Sequence, residues 1–319
     1  MRVSTSWIYS SGAATLSQKQ AELTRTQQQI SAGTNVLVPS DDPVAAARAL
    51  STQQSLSVTG QYASNQSAAQ SSLSLTESTL GQVGTALQDI RTLAVQAGNG
   101  TLNASDRRSL AVELRSRIDA LMGLSNSRDG AGGYLFSGYQ DSTQPFVRSA
   151  AGVVYQGDQG GRALQVSAQR TMDIGASGAS VFEGARAGNG SFTVAVAPSA
   201  RQSIFKTLDD LAATLDARAA GTLGDAAYQT QLSQSLAGID QANDQVLSVR
   251  TAAGARLSEL DALGSQNASQ QLGYQAELSK LTGLDYTEAI SRLSQQQTSL
   301  QAAQQSYVHI TGLSLFNYL

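Results

Sequence analysis

Residues 69–94 read AQSSLSLTESTLGQVGTALQDIRTLA. Within them Ala69, Leu73, Thr76, Leu80, Val83, Leu87, Ile90 and Ala94 follow alternating steps of four and three. That spacing is the seam of a coiled coil, because it returns one face of a helix to the same partner every seven residues. The pattern extends from Val44 to Leu93, with Asp42 as the N-cap and Pro43 at the first helical position. About fifty residues at 1.5 Å each predict a rod of roughly 75 Å. Asn99-Gly100 ends it, and Ser105-Asp106 opens a second helix with Leu110, Leu114, Ile118 and Leu121 on one face.

Gly130, Gly132 and Gly133 break the helical pattern, and from there to about Ala200 the period falls from seven to two. Tyr134–Phe136, Gly152–Gln156, Ala163–Val166 and Phe192–Val196 are the strand candidates, separated by turn signals such as Gly160-Gly161 and Gly188-Asn189-Gly190. Helical texture returns at Ile204 and strengthens after Tyr228. Leu232, Leu236, Ile239, Val246, Ala253, Leu257, Leu260, Tyr274, Leu278 and Leu281 then share one heptad register, with Asn243, Asn267 and Gln271 as polar members that fix it.

Both ends carry a weaker version of the same signal. Tyr9, Leu16, Leu23 and Ile30 recur every seven, with Ala13, Gln20 and Gln27 as expected companions. Near the other end the expected stripe is Ile290, Leu293, Gln297, Leu300 and Gln304, running on to Tyr307. One apolar position per heptad buries too little to offset chain entropy, so both ends are expected to be mobile in the monomer and helical only when packed. The fold class predicted is mainly α: a long antiparallel coiled-coil hairpin with a small β-rich domain inserted at its tip, and the termini as a further helical pair on assembly. The domains expected are terminal helices at 1–42 and 283–319, a helical rod at 43–132 and 201–282, and a β-rich domain at 133–200.

The composition excludes several functions. The chain has 319 residues, and charged residues are only 14% of it, with a net charge of −3. No Lys/Arg cluster exists to hold a phosphate backbone, so nucleic-acid binding is not expected. Cysteine is absent and His309 is the one histidine, which leaves no thiolate nucleophile, no Cys-based metal site and no His-dyad metal site. No apolar run spans a bilayer, and the N-terminus lacks the apolar region of a signal peptide.

Asp41-Asp42 before Pro43 reads as a helix start rather than a catalytic pair, and Asp209-Asp210 as a solvated face. Gly130-Ala131-Gly132-Gly133 lacks the Lys of a phosphate loop. No catalytic residue, cofactor or metal site is predicted. The C-terminal cluster Leu313, Leu315, Phe316, Tyr318 and Leu319 is different, because exposed apolar clusters invite association. It reads as a subunit contact or a partner's handle.

Two motifs then carry a resemblance. Ile30-Ser31-Ala32-Gly33-Thr34 followed by Pro39-Ser40-Asp41-Asp42-Pro43-Val44-Ala45-Ala46-Ala47 resembles the N-terminal signature of flagellins and flagellin-like hook-associated proteins. Leu87–Thr101 is similar to the end of that family's rod helix. The likeness covers the chain to about Gln140 and again from about Tyr228 to Leu319. Gly133-Tyr134-Leu135-Phe136-Ser137-Gly138, Pro145-Phe146 and the ending Ser314–Leu319 resemble the members that join hook to filament. A short flagellin forming the filament itself is the alternative.

The resemblance implies a structural adaptor whose terminal helices form an inner tube, whose rods form an outer tube and whose β insert faces solvent. The assembly residues implied are Tyr9, Leu16, Leu23 and Ile30 with Ile290, Leu293, Leu300, Tyr307, Leu313, Leu315, Phe316 and Leu319. Implied partners are hook-associated protein 1, flagellin and further copies of the chain in a helical ring. A cytoplasmic export chaperone at the C-terminal region is also implied. The location implied is the extracellular flagellum, reached without a cleaved signal peptide. Asp89 stands where receptor-sensed flagellins carry an arginine, so the resemblance does not extend to immune recognition.

Overall fold

A computed structural model describes residues 5–130, 132–149, 152–183 and 203–316. The chain is mainly α with a small β region. It divides into two compact units, Met1–Gly60 with Ala268–Leu319 and Gln61–Asn267. Helices α1 (Thr5–Ala32), α2 (Pro43–Ala97) and α3 (Ala104–Ser125) come first. Strands β1 (Phe146–Ser149), β2 (Gly152–Tyr155), β3 (Ala163–Ser167) and β4 (Arg170–Asp173) follow, and then α4 (Gly178–Phe182), α5 (Ile204–Ala219), α6 (Asp225–Thr282) and α7 (Tyr286–Phe316).

In the larger unit α2 and α6 run antiparallel. Arg91 Nε donates to Asp240 at 2.6 Å, Arg250 Nε to Glu77 at 3.1 Å and Gln70 Nε2 to Asp261 at 3.2 Å, so numbers rise on one helix as they fall on the other. All eight seam positions of α2 between Ala69 and Ala94 are buried. On α6 the buried members are Leu232, Ile239, Val246, Ala253, Leu260 and Asn267. The amide of Asn267 reaches Gln66 Oε1 at 3.4 Å, a polar contact inside an apolar seam.

The α2–α3 turn is capped two residues earlier than the Ser105-Asp106 reading. Asn103 Oδ1 accepts from the Asp106 amide at 2.9 Å, and Asp106 Oδ2 accepts from the Asn103 amide at 3.1 Å. This reciprocal box satisfies two donors that a helix start leaves orphaned and contributes about 1 kcal/mol. Helix α3 then buries Ala111, Leu114, Ile118 and Leu121, and α5 packs beside it with Phe205, Leu208, Leu211 and Leu215 buried.

Helices α3 and α5, not strands, therefore close the turn between the two rods. The β3–β4 hairpin lies along the side of α2 and α6, whereas β1–β2 packs beside α3 and α5 at the turn. β1 pairs with β2 and β3 with β4, each pair antiparallel. Val166 and Met172 are buried with Leu73 and Leu260. The backbone of β3 accepts from Asn65 at Gln165 O (2.8 Å) and from Gln66 at Val166 O (2.7 Å). Arg170 adds a two-pronged bond to Glu259 at 2.7 and 2.8 Å.

Tyr134–Phe136 is not a strand. Tyr134 makes one isolated bridge to Arg128, and a turn then buries Leu135 and Phe136. Phe136, Phe146, Phe182 and Phe205 pack edge to face, tilted or, for Phe182 on Phe205, stacked, with centroids 5.1–5.9 Å apart, and this ring cluster ties the insert to α5. The expected strand Phe192–Val196 and the turn at Gly188-Asn189-Gly190 lie outside the described residues.

Candidate assembly interface

The two end helices belong to the smaller unit, and there they pack on each other along their length. A Cβ placed on Gly12 would lie 2.7 Å from the Tyr307 ring, and one on Gly33 would lie 2.9 Å from Tyr286 Oη. These two contacts define one antiparallel register of α1 against α7.

Tyr9, Leu16, Leu23 and Ile30 are all half-buried on α1. Their companions are Gly12, Lys19 and Thr26, half-buried or buried, whereas Ala13, Gln20 and Gln27 are exposed. The second seam row therefore lies three residues after the apolar one, not four. On α7 the same correction applies. Leu293, Leu300 and Tyr307 are half-buried, but they alternate with Ala289, Gln296 and Ala303. Ile290 is 54% exposed and Gln297 and Gln304 face solvent. Sequence alone could not choose between these rows, because Gly12, Lys19 and Thr26 carry no stronger apolar signal than Ala13, Gln20 and Gln27, nor do Ala289, Gln296 and Ala303 carry a stronger one than Ile290, Gln297 and Gln304.

The outward side of the pair carries apolar surface. Trp7 is 64% exposed and Val308 68%. Beyond Ala289 the one permanent charge is Arg292, which donates to Glu288 at 2.6 Å. Gln296 Oε1 is buried and accepts no hydrogen bond among the described residues. Helix α7 extends through Leu313, Leu315 and Phe316; their side chains and Leu319 lie outside the described residues.

Both end helices bend into the long helices at one knot. Gly33 has φ +68°, a left-handed turn that only glycine takes without strain. Thr34 bridges Gly283, and the Asn35 amide donates to Thr282 O at 2.8 Å. Gln29 Nε2 donates to Asn35 O at 2.6 Å. Asp41 Oδ2 accepts from the Leu37 and Val38 amides at 3.0 and 3.3 Å, and its carboxylate also pairs with Arg25. Asp42 Oδ1 caps α2, accepting from Val44 N at 3.0 Å and Ala45 N at 2.8 Å. The two aspartates thus do separate structural jobs, a loop clasp and a helix cap. The clasp had one readable sign, the Gly33-Thr34 break three residues past a heptad position; its partner Arg25 had none.

Among the described residues no group of His, Cys, Asp and Glu is arranged to hold a metal ion, and His309 is exposed. No helix there is long and apolar enough to cross a membrane.

Residues 3–141 match the family described as the bacterial flagellin N-terminal helical region. Over 99% of both chains the sequence is 35% identical to flagellar hook-associated protein 3 of Salmonella typhimurium. The chain belongs to the flagellar hook-associated protein 3 family. A flagellar hook-associated protein from Vibrio parahaemolyticus has a solved structure 25% identical in sequence, with TM-score 0.65, over 76% of this chain and 100% of that one. A flagellar junction protein from Legionella pneumophila shares the fold, with TM-score 0.62 and 24% identity over 74% of this chain and 100% of that one.

This member of the hook-associated protein 3 family is accordingly a structural subunit of the flagellum, an adaptor at the hook–filament junction. The correspondence to hook-associated protein 3 passes through the β region and both ends, which fits that role better than the filament subunit's. As an axial component it associates with other flagellar proteins.

Proposed function

We infer that the subunit assembles through its terminal helices. Segments 1–42 and 283–319 would form the inner layer, segments 43–132 and 201–282 the surrounding rods, and 133–200 the solvent-facing domain. Tyr9, Leu16, Leu23 and Ile30 pair in this reading with Leu293, Leu300 and Tyr307, while Ile290 and the tail residues Leu313, Leu315, Phe316 and Leu319 meet neighbouring subunits. The ends order fully only in that packing.

The observation that supports this is the outward face of the α1–α7 pair. It exposes Trp7 on α1 and Ile290 and Val308 on α7, whose stretch beyond Ala289 carries Arg292 as its one charged side chain, and a solvated helix of this length ordinarily carries more charge there. Neighbours in this reading are copies of the chain in a ring, hook-associated protein 1 on one side and flagellin on the other. A cytoplasmic chaperone covering residues 290–319 would keep that face apart before export through the flagellar channel without a cleaved signal.

Seeded assembly on hook-tip fragments, imaged by electron microscopy, tests the reading. The protein should cap the seeds or add a short segment and stop, and Ile290→Glu should abolish that addition while leaving monomer helicity unchanged. Long filaments would return the chain to a flagellin role. Undiminished addition by Ile290→Glu would remove the outward face from the interface.

A further inference from the structure

The seam between α1 and α7 carries little information about its own register. Its apolar members Tyr9, Leu16, Leu23 and Ile30 repeat every seven residues, as do Leu293, Leu300 and Tyr307 on the other side. Sliding one helix by a heptad therefore returns apolar side chains to apolar neighbours, and such repeats need a separate device to exclude the slipped pairings.

We propose that two glycine notches, Gly12 on α1 and Gly33 in the turn just past its end, each receiving a tyrosine of α7, fix the register of the terminal helix pair. The fit is close at both sites: a Cβ would stand 2.7 and 2.8 Å from Cδ2 and Cε2 of Tyr307 at Gly12, and 2.9 Å from Tyr286 Oη at Gly33. Gly12 and Gly33 are three heptads apart, and so are Tyr286 and Tyr307. Both notches are thus filled in the same alignment. A third point agrees with them, the backbone bridge between Thr34 and Gly283 one step beyond the second notch.

A heptad slip in either direction loses this match. One direction brings Tyr307 level with Lys19, and the other brings Tyr286 level with Thr26. Both positions carry side chains where the ring needs a bare backbone. The notches act by exclusion: they make the slipped alignments overpacked while the apolar stripes supply adhesion indifferent to register. This goes beyond the assembly reading, because it concerns the chain's own two helices.

The chain has no cysteine, so engineered thiol pairs report the register without background. Three full-length variants are oxidised with oxidised glutathione and resolved on non-reducing gels. Leu16→Cys/Ala303→Cys is level in the native alignment. Leu16→Cys/Gln296→Cys and Leu23→Cys/Ala303→Cys are level only after a slip one way or the other. The ratio of closure rates reports the alignment of the paired state, whatever fraction of chains is paired at a given moment.

The level pair should close faster than either slipped pair by about tenfold, a ratio that overpacking of this kind sustains. Gly12→Leu should erase most of that preference, and Tyr307→Ala added to Gly12→Leu should restore it. Equal closure of all three pairs would overturn the proposal. So would a preference unchanged by Gly12→Leu, or one that Tyr307→Ala fails to restore, since the glycine would then act through something other than the ring. Seeded assembly of the cysteine-free protein is scored separately, so loss of the assembly reading would not be mistaken for loss of the register.

Discussion

The guanidinium of Arg107 stands 5.1 Å from the centre of the Tyr228 ring, and both side chains donate to the carbonyl of Ala97. Arg107 is 6% exposed and makes no ion pair among the described residues. Its charge is met instead by the ring face and by the carbonyl end of α2, where the helix dipole is negative. Burial raises the Tyr228 hydroxyl's pKa, with Arg107 opposing, so the ring stays a neutral donor. The contact joins the end of α2, the start of α3 and the start of α6 at one point.

Removing either partner should loosen that joint unequally. Tyr228→Phe deletes one buried hydrogen bond and should cost about 1 kcal/mol. Arg107→Ala removes a charged donor to Ala97 O together with its buried stem and should cost about 2–3 kcal/mol. Urea unfolding followed by helicity measures both; equal losses would mean that the guanidinium contributes nothing beyond the hydroxyl.

The pair of end helices should be separable from the rods. Leu16→Glu and Leu300→Glu both place a charge on the half-buried α1–α7 seam. Each should leave the thermal melt of the 61–267 unit nearly unchanged and abolish incorporation at the junction. A lowered melt of that unit would show that the end helices help to hold the rods.

Alkali should unfold the insert before the rods. Burial pushes the Tyr155 hydroxyl up from 10 to about 12, where it donates to Phe136 O at 2.9 Å and Asp158 O at 2.6 Å. Because the folded chain holds this proton more tightly, the stability it contributes is complete below pH 10 and is lost as pH rises to about 12. Tyr228 is raised as well, so absorbance titration of tyrosinate should show more than one late residue in the wild type, and Tyr155→Phe should remove one of them while leaving that of Tyr228.

Asp209 has the same sign at the acid end. Burial raises its pKa above the usual 3.8, with Asp210 and Asp119 adding to the effect and Arg148 and Lys206 opposing it. The fold therefore favours its neutral form, so its contribution is best below the ordinary carboxylate range and declines as pH rises through the folded value. Asp209→Asn should raise Tm slightly at pH 7, and the gain should vanish in acid. A gain constant from pH 3 to pH 7 would exclude this titration as its cause.

Close packing sets the cost at Gly178. A Cβ there would lie 2.6 Å from Tyr155 Cε2 and 2.8 Å from the Phe146 ring. Gly178→Ala should destabilise the insert by roughly 1–3 kcal/mol, measurable as increased proteolysis between β2 and α4 with the rods intact. Undiminished protease resistance would mean that the two rings have room to retreat.

The rods were legible because their signal is dense. Every position from Ala69 to Ala94 on the four-three pattern is buried, and the same reading found β2, β3 and α5. It missed β1 and β4, since Phe146–Ser149 and Arg170–Asp173 do not alternate enough to stand out. Tyr134–Phe136 looked like a strand because buried aromatics mimic one; its rings enter a turn instead. At the ends, the apolar rows were legible and their companions were not, because Gly12, Lys19 and Thr26 carry no apolar signal that distinguishes them from Ala13, Gln20 and Gln27.

The sequence by itself determined that this chain is a pair of long seamed helices with weaker helical ends and a β insert between them. Hydrophobic periodicity is local and survives being read one residue at a time. Only the tertiary structure decided which faces meet: the β3–β4 hairpin against the rods' side, Asp41 with Arg25, Arg107 over Tyr228, and Tyr307 against Gly12. Each of those depends on shape or charge matched across distant parts of the chain, and a glycine's missing side chain acquires meaning only when the ring that fills its place is known.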